Sequence, residues 1–91
     1  MSYLSPGPPR RAGPDLERAE PRRSDPEIPP RTPRLMVRFS DGSWALCWIG
    51  PWQRRGRGWI VRLAWGESGV IRDGWFHYDT AKIVPPAELD V

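Results

Sequence analysis

Alternation of apolar and polar residues after Pro33 is the strongest structural signal in the chain. The stretch WIVRLAW at positions 59–65 places two tryptophans, a valine and a leucine on one face of a strand and Arg62 on the other. The stretch LMVRF at positions 35–39 alternates in the same way. A helical period of about 3.6 residues would scatter these apolar side chains around the helix. Both stretches are therefore predicted to be β-strands.

Turn residues divide the rest of this part of the chain. Asp41 and Gly42 suit a tight hairpin because an Asp-Gly pair tolerates positive φ angles. The other predicted elements are a strand at 44–49, a polar loop at 50–58, a turn at 66–69, a hairpin with arms at 70–72 and 75–78 around Asp73-Gly74, and one helical turn with a short closing strand within 79–85.

Five short strands without a helical pattern are typical of a small, strongly bent barrel. The frame VRFSDGSWALCW, GWIVRLAWGESG and GWFHYDTAKIVP resembles an SH3-like or Tudor-like barrel, in which a hairpin opens the sheet and a short helical turn precedes the last strand. The resemblance covers residues 35–85 and rests on strand spacing and aromatic placement. It implies an all-β fold with a five-stranded SH3-like barrel, and fold likeness alone transfers no function.

The first 34 residues have a different composition. Nine of the 12 prolines and seven arginines lie there, with few large apolar side chains. Such a segment buries too little apolar surface to offset the entropy of ordering it. Residues 1–34 are therefore predicted to be a disordered Arg/Pro-rich arm, and residues 86–91 a flexible acidic tail.

Composition also restricts the classes of function. The net charge is +3, with a single cysteine, Cys47, and a single histidine, His77. One cysteine excludes an internal disulfide, and the pair offers no structural zinc set. No apolar run approaches the roughly 20 residues of a membrane-spanning helix. We expect a soluble cytoplasmic protein without a cofactor or metal.

The predicted loop at 50–58 carries the first candidate site. Its arginines are able to bind phosphates bidentately, and its one large ring, Trp52, is able to stack on an unpaired base. The opposing interpretation is a solvated hairpin tip whose charges discourage edge pairing. The candidate nucleic-acid-binding residues are Arg54, Arg55, Arg57 and Trp52, extended by Arg38, Arg62 and Arg72 if the strands bring them together.

Aromatic residues form the second candidate site. The Tudor-like resemblance implies a ring cage or groove that binds a peptide, with methylated lysine or arginine held by cation–π attraction. The opposing interpretation is that these rings build the core of a small domain. The candidates are Trp52, Trp44, Trp75, Tyr78 and Asp73, with Trp48, Phe76 and Asp79 as further members.

An enzyme is the third and least favoured class. His77 with Asp79 offers an acid and a base, but no nucleophile elbow, phosphate-cradling glycine loop or metal-ligand spacing accompanies them. Residues 26–31 read PEIPPR, a PxxPxR form that proline-binding barrels favour. Such patterns are common by chance in proline-rich tracts, so a flexible tether is the favoured interpretation of these residues. The sequence thus predicts a non-enzymatic module that docks on nucleic acid or a nucleoprotein assembly, with a peptide-binding module as the alternative.

Overall fold

The computed structural model describes residues 13–86, which form an all-β fold without a helix. Every strand pairing is antiparallel. The sheet has the strand order β4-β3-β2-β1-β5, so β4 and β5 are its two edges. The strands are β1 (Arg34–Arg38), β2 (Trp44–Arg55), β3 (Gly58–Glu67), β4 (Val70–His77) and β5 (Ile83–Val84). The all-β prediction is confirmed, and the five strands by themselves do not close into a barrel.

The prediction of a polar loop at 50–58 is wrong for most of these residues. Strand β2 continues to Arg55 and β3 begins at Gly58, which leaves a two-residue turn. The register shifts between Ile49 and Trp52, as in a β-bulge. Pro51 has no N–H for the ladder, and a bulge is a place where a strand tolerates proline. The Gly50-Pro51 pair, which predicted the end of a strand, therefore marks a bulge within one strand instead.

The predicted hairpin around Asp73-Gly74 is also wrong. All eight residues of β4 pair with β3, and Gly74 lies opposite Leu63 within the ladder. The true turn between these strands contains Ser68 and Gly69, both with positive φ. Here continuous cross-strand pairing with β3 overrides the local Asp-Gly turn signal.

The core lies on one face of the sheet, which we call the inner face. Its buried residues alternate along the strands, as the sequence pattern predicted. The ring of Trp65 packs against Phe39 and Phe76, with ring centroids 5.9 Å away in each case. Trp59 shares this inner face with Val61 and Leu63, as predicted, but it is only half-buried. Its neighbour Ile60 is fully buried on the opposite, outer face.

The beginning of the described chain spans the space between the end of β1 and the edge of β4. Asp15 N donates to Arg38 O at 2.8 Å, beside the short strand β5. A few residues later, Ala19 N donates to Trp75 O at 3.0 Å on the edge of β4. The intervening Leu16 packs against the core. This segment links two parts of the sheet that no strand connects.

The same segment then covers the outer face and returns to β2. Gln53 is 1% exposed, and its amide group bonds the backbone of Arg22 and Asp25. Further along, Ile28 exchanges two backbone hydrogen bonds with Trp52. Composition predicted a disordered arm over residues 1–34, whereas residues 13–33 lie against the sheet. Hydrogen bonds of backbone polar groups attach this segment to the sheet. A prediction of disorder from the number of apolar side chains takes no account of these bonds.

The remaining parts of the two predicted flexible segments, residues 1–12 and 87–91, lie outside the described residues.

Candidate functional site: an aromatic cavity between arm and sheet

An apolar cavity of about 440 Å³ lies between the arm and the inner face of the sheet. Its size falls within the roughly 300 to 1,000 Å³ of ordinary ligand pockets. On the sheet side it is lined by Trp52, Trp59 and Tyr78, and on the arm side by Ile28, Arg31 and Thr32. Three aromatic rings thus meet at one concave surface.

The register of β2 and β3 brings these rings together. After the bulge, Trp52 pairs with Val61 and Arg54 pairs with Trp59, so the side chains of all four point to the same face. Tyr78 follows β4, and its N–H donates to Trp59 O at 2.9 Å. The rings of Trp52 and Tyr78 form an edge-to-face pair with centroids 5.1 Å apart. The bulge is therefore what turns Trp52 towards the cavity.

Positive charge borders this cavity. The Arg54 guanidinium lies over the Trp59 ring, 5.2 Å from its centroid, and Arg54 Nε donates to Gly56 O at 3.3 Å. Arg31 lines the cavity from the arm. Among residues 13–86, those that line the cavity include no Asp or Glu. Rings flanked by arginine attract an anionic or aromatic ligand, whereas a cage for methylated lysine needs rings without a competing cation.

The arginines of the first candidate site are distributed over several places. Arg54 and Arg57 are exposed at the β2–β3 turn. Arg55 points elsewhere, because its Nη2 donates to Glu20 O of the arm at 2.9 Å. The structure therefore brings Arg54 and Trp52 to one face, leaves Arg57 exposed in the β2–β3 turn, and uses Arg55 as an arm contact.

The proposed extension of the basic patch lies away from the cavity. Arg62 forms an ion pair with Asp73, and Arg72 Nε lies 2.6 Å from Glu67 Oε1. Arg38 is exposed on β1, where it pairs with Trp44. These three arginines do not join Arg54 and Arg57, and two of them already have acidic partners.

The aromatic candidates divide between the two faces of the sheet. Trp52 and Tyr78 line the cavity, and Phe76 lies in the core. Trp44, Trp48, Asp73 and Trp75 alternate with inner-face residues and so lie on the outer face. Sequence reasoning missed Trp59 as a cavity residue. Recognition of a two-residue turn at Gly56-Arg57 would have placed it opposite Arg54.

His77 and Asp79 line a second, polar cavity of about 450 Å³. Asp15 lies there with its carboxylate 3.4 Å from Lys82 Nζ, and Asp79 Oδ1 accepts a hydrogen bond from Ala81 N. The Asp79 carboxylate thus contacts the chain's own turn. Among residues 13–86, no group of three His, Cys, Asp or Glu side chains is placed to hold a metal ion.

Comparison of the chain with protein-family models, with curated proteins and with solved structures finds no match. In the described part of the chain, no helix is long and apolar enough to cross a membrane.

Proposed function

We propose that this protein is a non-enzymatic module that binds single-stranded nucleic acid at the aromatic cavity. The observation that carries the proposal is the Arg54 guanidinium over Trp59, at the border of a three-ring cavity whose described lining residues include no acid. A base stacks on the rings, and the adjacent phosphates contact Arg54, Arg57 and Arg31. Single strands fit because paired bases of a duplex cannot enter such a cavity.

The free energies expected for stacking and for phosphate contacts support these separate roles of the rings and the arginines. Stacking of one base on an aromatic side chain contributes about 1 to 3 kcal/mol. Each arginine–phosphate contact adds affinity that falls with salt. Arg54 and Arg57 are exposed and form no ion pair within residues 13–86, so none of the carboxylates described there competes with a phosphate.

The fold proposal is an SH3-like or Tudor-like barrel whose wall is completed by the arm. It is supported by the strand order β4-β3-β2-β1-β5 and by the arm segment that connects β1 with the edge of β4. Small barrels of this kind bind both peptides and nucleic acids, so the site decides the function.

A peptide-binding module is the second candidate. It is favoured by the apolar part of the cavity lining, to which Ile28, Leu35 and Ile49 contribute. In that case a peptide with an aliphatic anchor occupies the cavity. Its affinity changes little with salt, because the contacts are mainly apolar.

Fluorescence anisotropy distinguishes the two candidates. Labelled single-stranded and duplex oligonucleotides are titrated with the full chain at several salt concentrations. The double variant Arg54→Gln/Arg57→Gln is compared with Arg62→Gln/Arg72→Gln, which removes the same charge elsewhere. We expect the first pair to lower the salt slope for the single strand by about 1.4, from about 0.7 per phosphate contact. Equal slopes for both pairs, or no binding at low salt, would contradict the proposal.

A further inference from the structure

The outer face of the sheet carries an exposed apolar patch on the side opposite the cavity. Its exposed apolar residues are Leu46 and Trp48 on β2 and Ile71 on the edge strand β4, which are 42%, 46% and 71% exposed. Leu46 pairs with Met36, and Met36 in turn pairs with Val84 of β5. We call this surface, with Arg34 and Arg38 at its rim, the outer patch.

Exposure of this patch is unusual for the face on which it lies. At the β2–β3 turn, the arm covers the same face so fully that Gln53 and Ile60 are 1% and 0% exposed. None of the described hydrogen bonds of the arm reaches Leu46 or Trp48 across the face. Several exposed apolar side chains on one face of a small protein mark an interaction site more often than a single apolar residue does.

The charges of the outer patch restrict its partner. The Arg34 guanidinium lies over the Trp48 ring, 5.8 Å from its centroid. Neither Arg34 nor Arg38 forms an ion pair with a described residue, and the neighbouring Asp73 is neutralised by Arg62. A second copy of the chain would bring positive rims together. An acidic surface complements them.

The chemical character of the outer patch indicates whether its partner is a protein or a nucleic acid. Protein–protein interfaces combine an apolar centre with a polar rim and are enriched in tryptophan, methionine and arginine. Nucleic-acid interfaces are more polar and more strongly basic. Aliphatic residues such as Leu46 and Ile71 in the outer patch fit the first description.

We propose that the outer patch docks an acidic protein segment that carries apolar side chains. Trp48 and Arg34 act as its anchors, because tryptophan and arginine dominate the binding energy of interfaces. The acidic side chains of the partner pair with Arg34 and Arg38 at the rim, and its apolar side chains cover Leu46 and Ile71. This inference is independent of the proposed function, since the two surfaces lie on opposite faces of the sheet.

The test is a selection from a random-peptide library against the full chain, followed by affinity measurements on the selected peptides. We expect peptides that combine Asp or Glu with apolar residues. Their affinity should fall by about tenfold or more in Trp48→Ala and in Arg34→Glu, and remain unchanged in Arg54→Gln. Leu46→Ser serves as a second variant of the outer patch, and circular dichroism confirms that each variant is folded.

Several results would overturn the proposal. These are a selection that enriches no peptide, enriched peptides that lack acidic residues, and binding that Trp48→Ala and Leu46→Ser leave intact. Sedimentation equilibrium adds another, since a dimer that Trp48→Ala dissociates would assign the patch to a second copy. Loss of oligonucleotide binding in Trp48→Ala would assign it to nucleic acid instead.

Discussion

Ile28 and Trp52 exchange two backbone hydrogen bonds, one in each direction, and both are 2.8 Å long. The pair joins a proline-rich segment to the bulged part of β2. It also fixes the two walls of the aromatic cavity relative to each other, because both residues line it. The arm is thus a structural part of the candidate site.

Removal of the Gln53 amide should detach the arm from the outer face. Gln53 is the buried residue that bonds both the N–H and the carbonyl of Arg22. Gln53→Leu leaves these backbone groups without partners, which costs about 1 to 3 kcal/mol. Hydrogen exchange should show faster exchange at the amides of Ala19 and Ile28. If the amides of β3 lose protection from exchange to the same extent, the whole fold is destabilised. That result would contradict a local role of Gln53.

Addition of a methyl group at Gly50 should destabilise the sheet at the bulge. A Cβ there lies 3.1 Å from Arg62 Cβ and 3.3 Å from Arg62 O, and the latter is backbone that cannot rotate away. We expect Gly50→Ala to lower the free energy of unfolding by about 1 to 3 kcal/mol. Gly66→Ala is the matched control, since its Cβ meets nothing within 4 Å. Denaturant unfolding of both variants measures the difference, and equal values would contradict the expected overlap.

Truncation of Trp59 should weaken oligonucleotide binding while the sheet stays folded. Trp59 is half-buried and lies outside the core cluster. The loss of one stacked base corresponds to about 1 to 3 kcal/mol of binding free energy. Trp44→Ala, a half-buried tryptophan of the outer face, is the control for the removal of a ring. Anisotropy titrations that show equal losses in both variants would argue against the cavity as the site.

The ion pairs Arg62–Asp73 and Arg72–Glu67, which join β3 and β4, should contribute little to the stability of the fold. Arg62 and Asp73 are about half exposed, so water and salt screen their attraction. Asp73→Asn and Glu67→Gln should each change the free energy of unfolding by less than about 1 kcal/mol. Thermal unfolding at low and high salt measures this change. A larger loss that disappears at high salt would show that these pairs stabilise the sheet more than their exposure implies.

The sequence predicted the site in part. It identified Trp52 and Tyr78 as groove residues, and both line the cavity. It treated Arg54 as a loop residue, although Arg54 belongs to β2 and covers Trp59. The reason is the bulge at Ile49–Trp52, which lets one strand continue through a glycine-proline pair that normally ends strands.

By itself, the sequence determined the all-β class and the face that each apolar residue of β1 and β3 occupies, because alternation is a property of neighbouring residues. Three features were decided only by the tertiary structure. These are the continuous β4 through Asp73-Gly74, the extension of β2 to Arg55, and the attachment of residues 13–33 to the sheet. The first two depend on the backbone ladders that β3 forms with β4 and with β2. The third depends on backbone hydrogen bonds between residues distant in the chain, such as Ala19 with Trp75, and local composition carries no signal for these bonds.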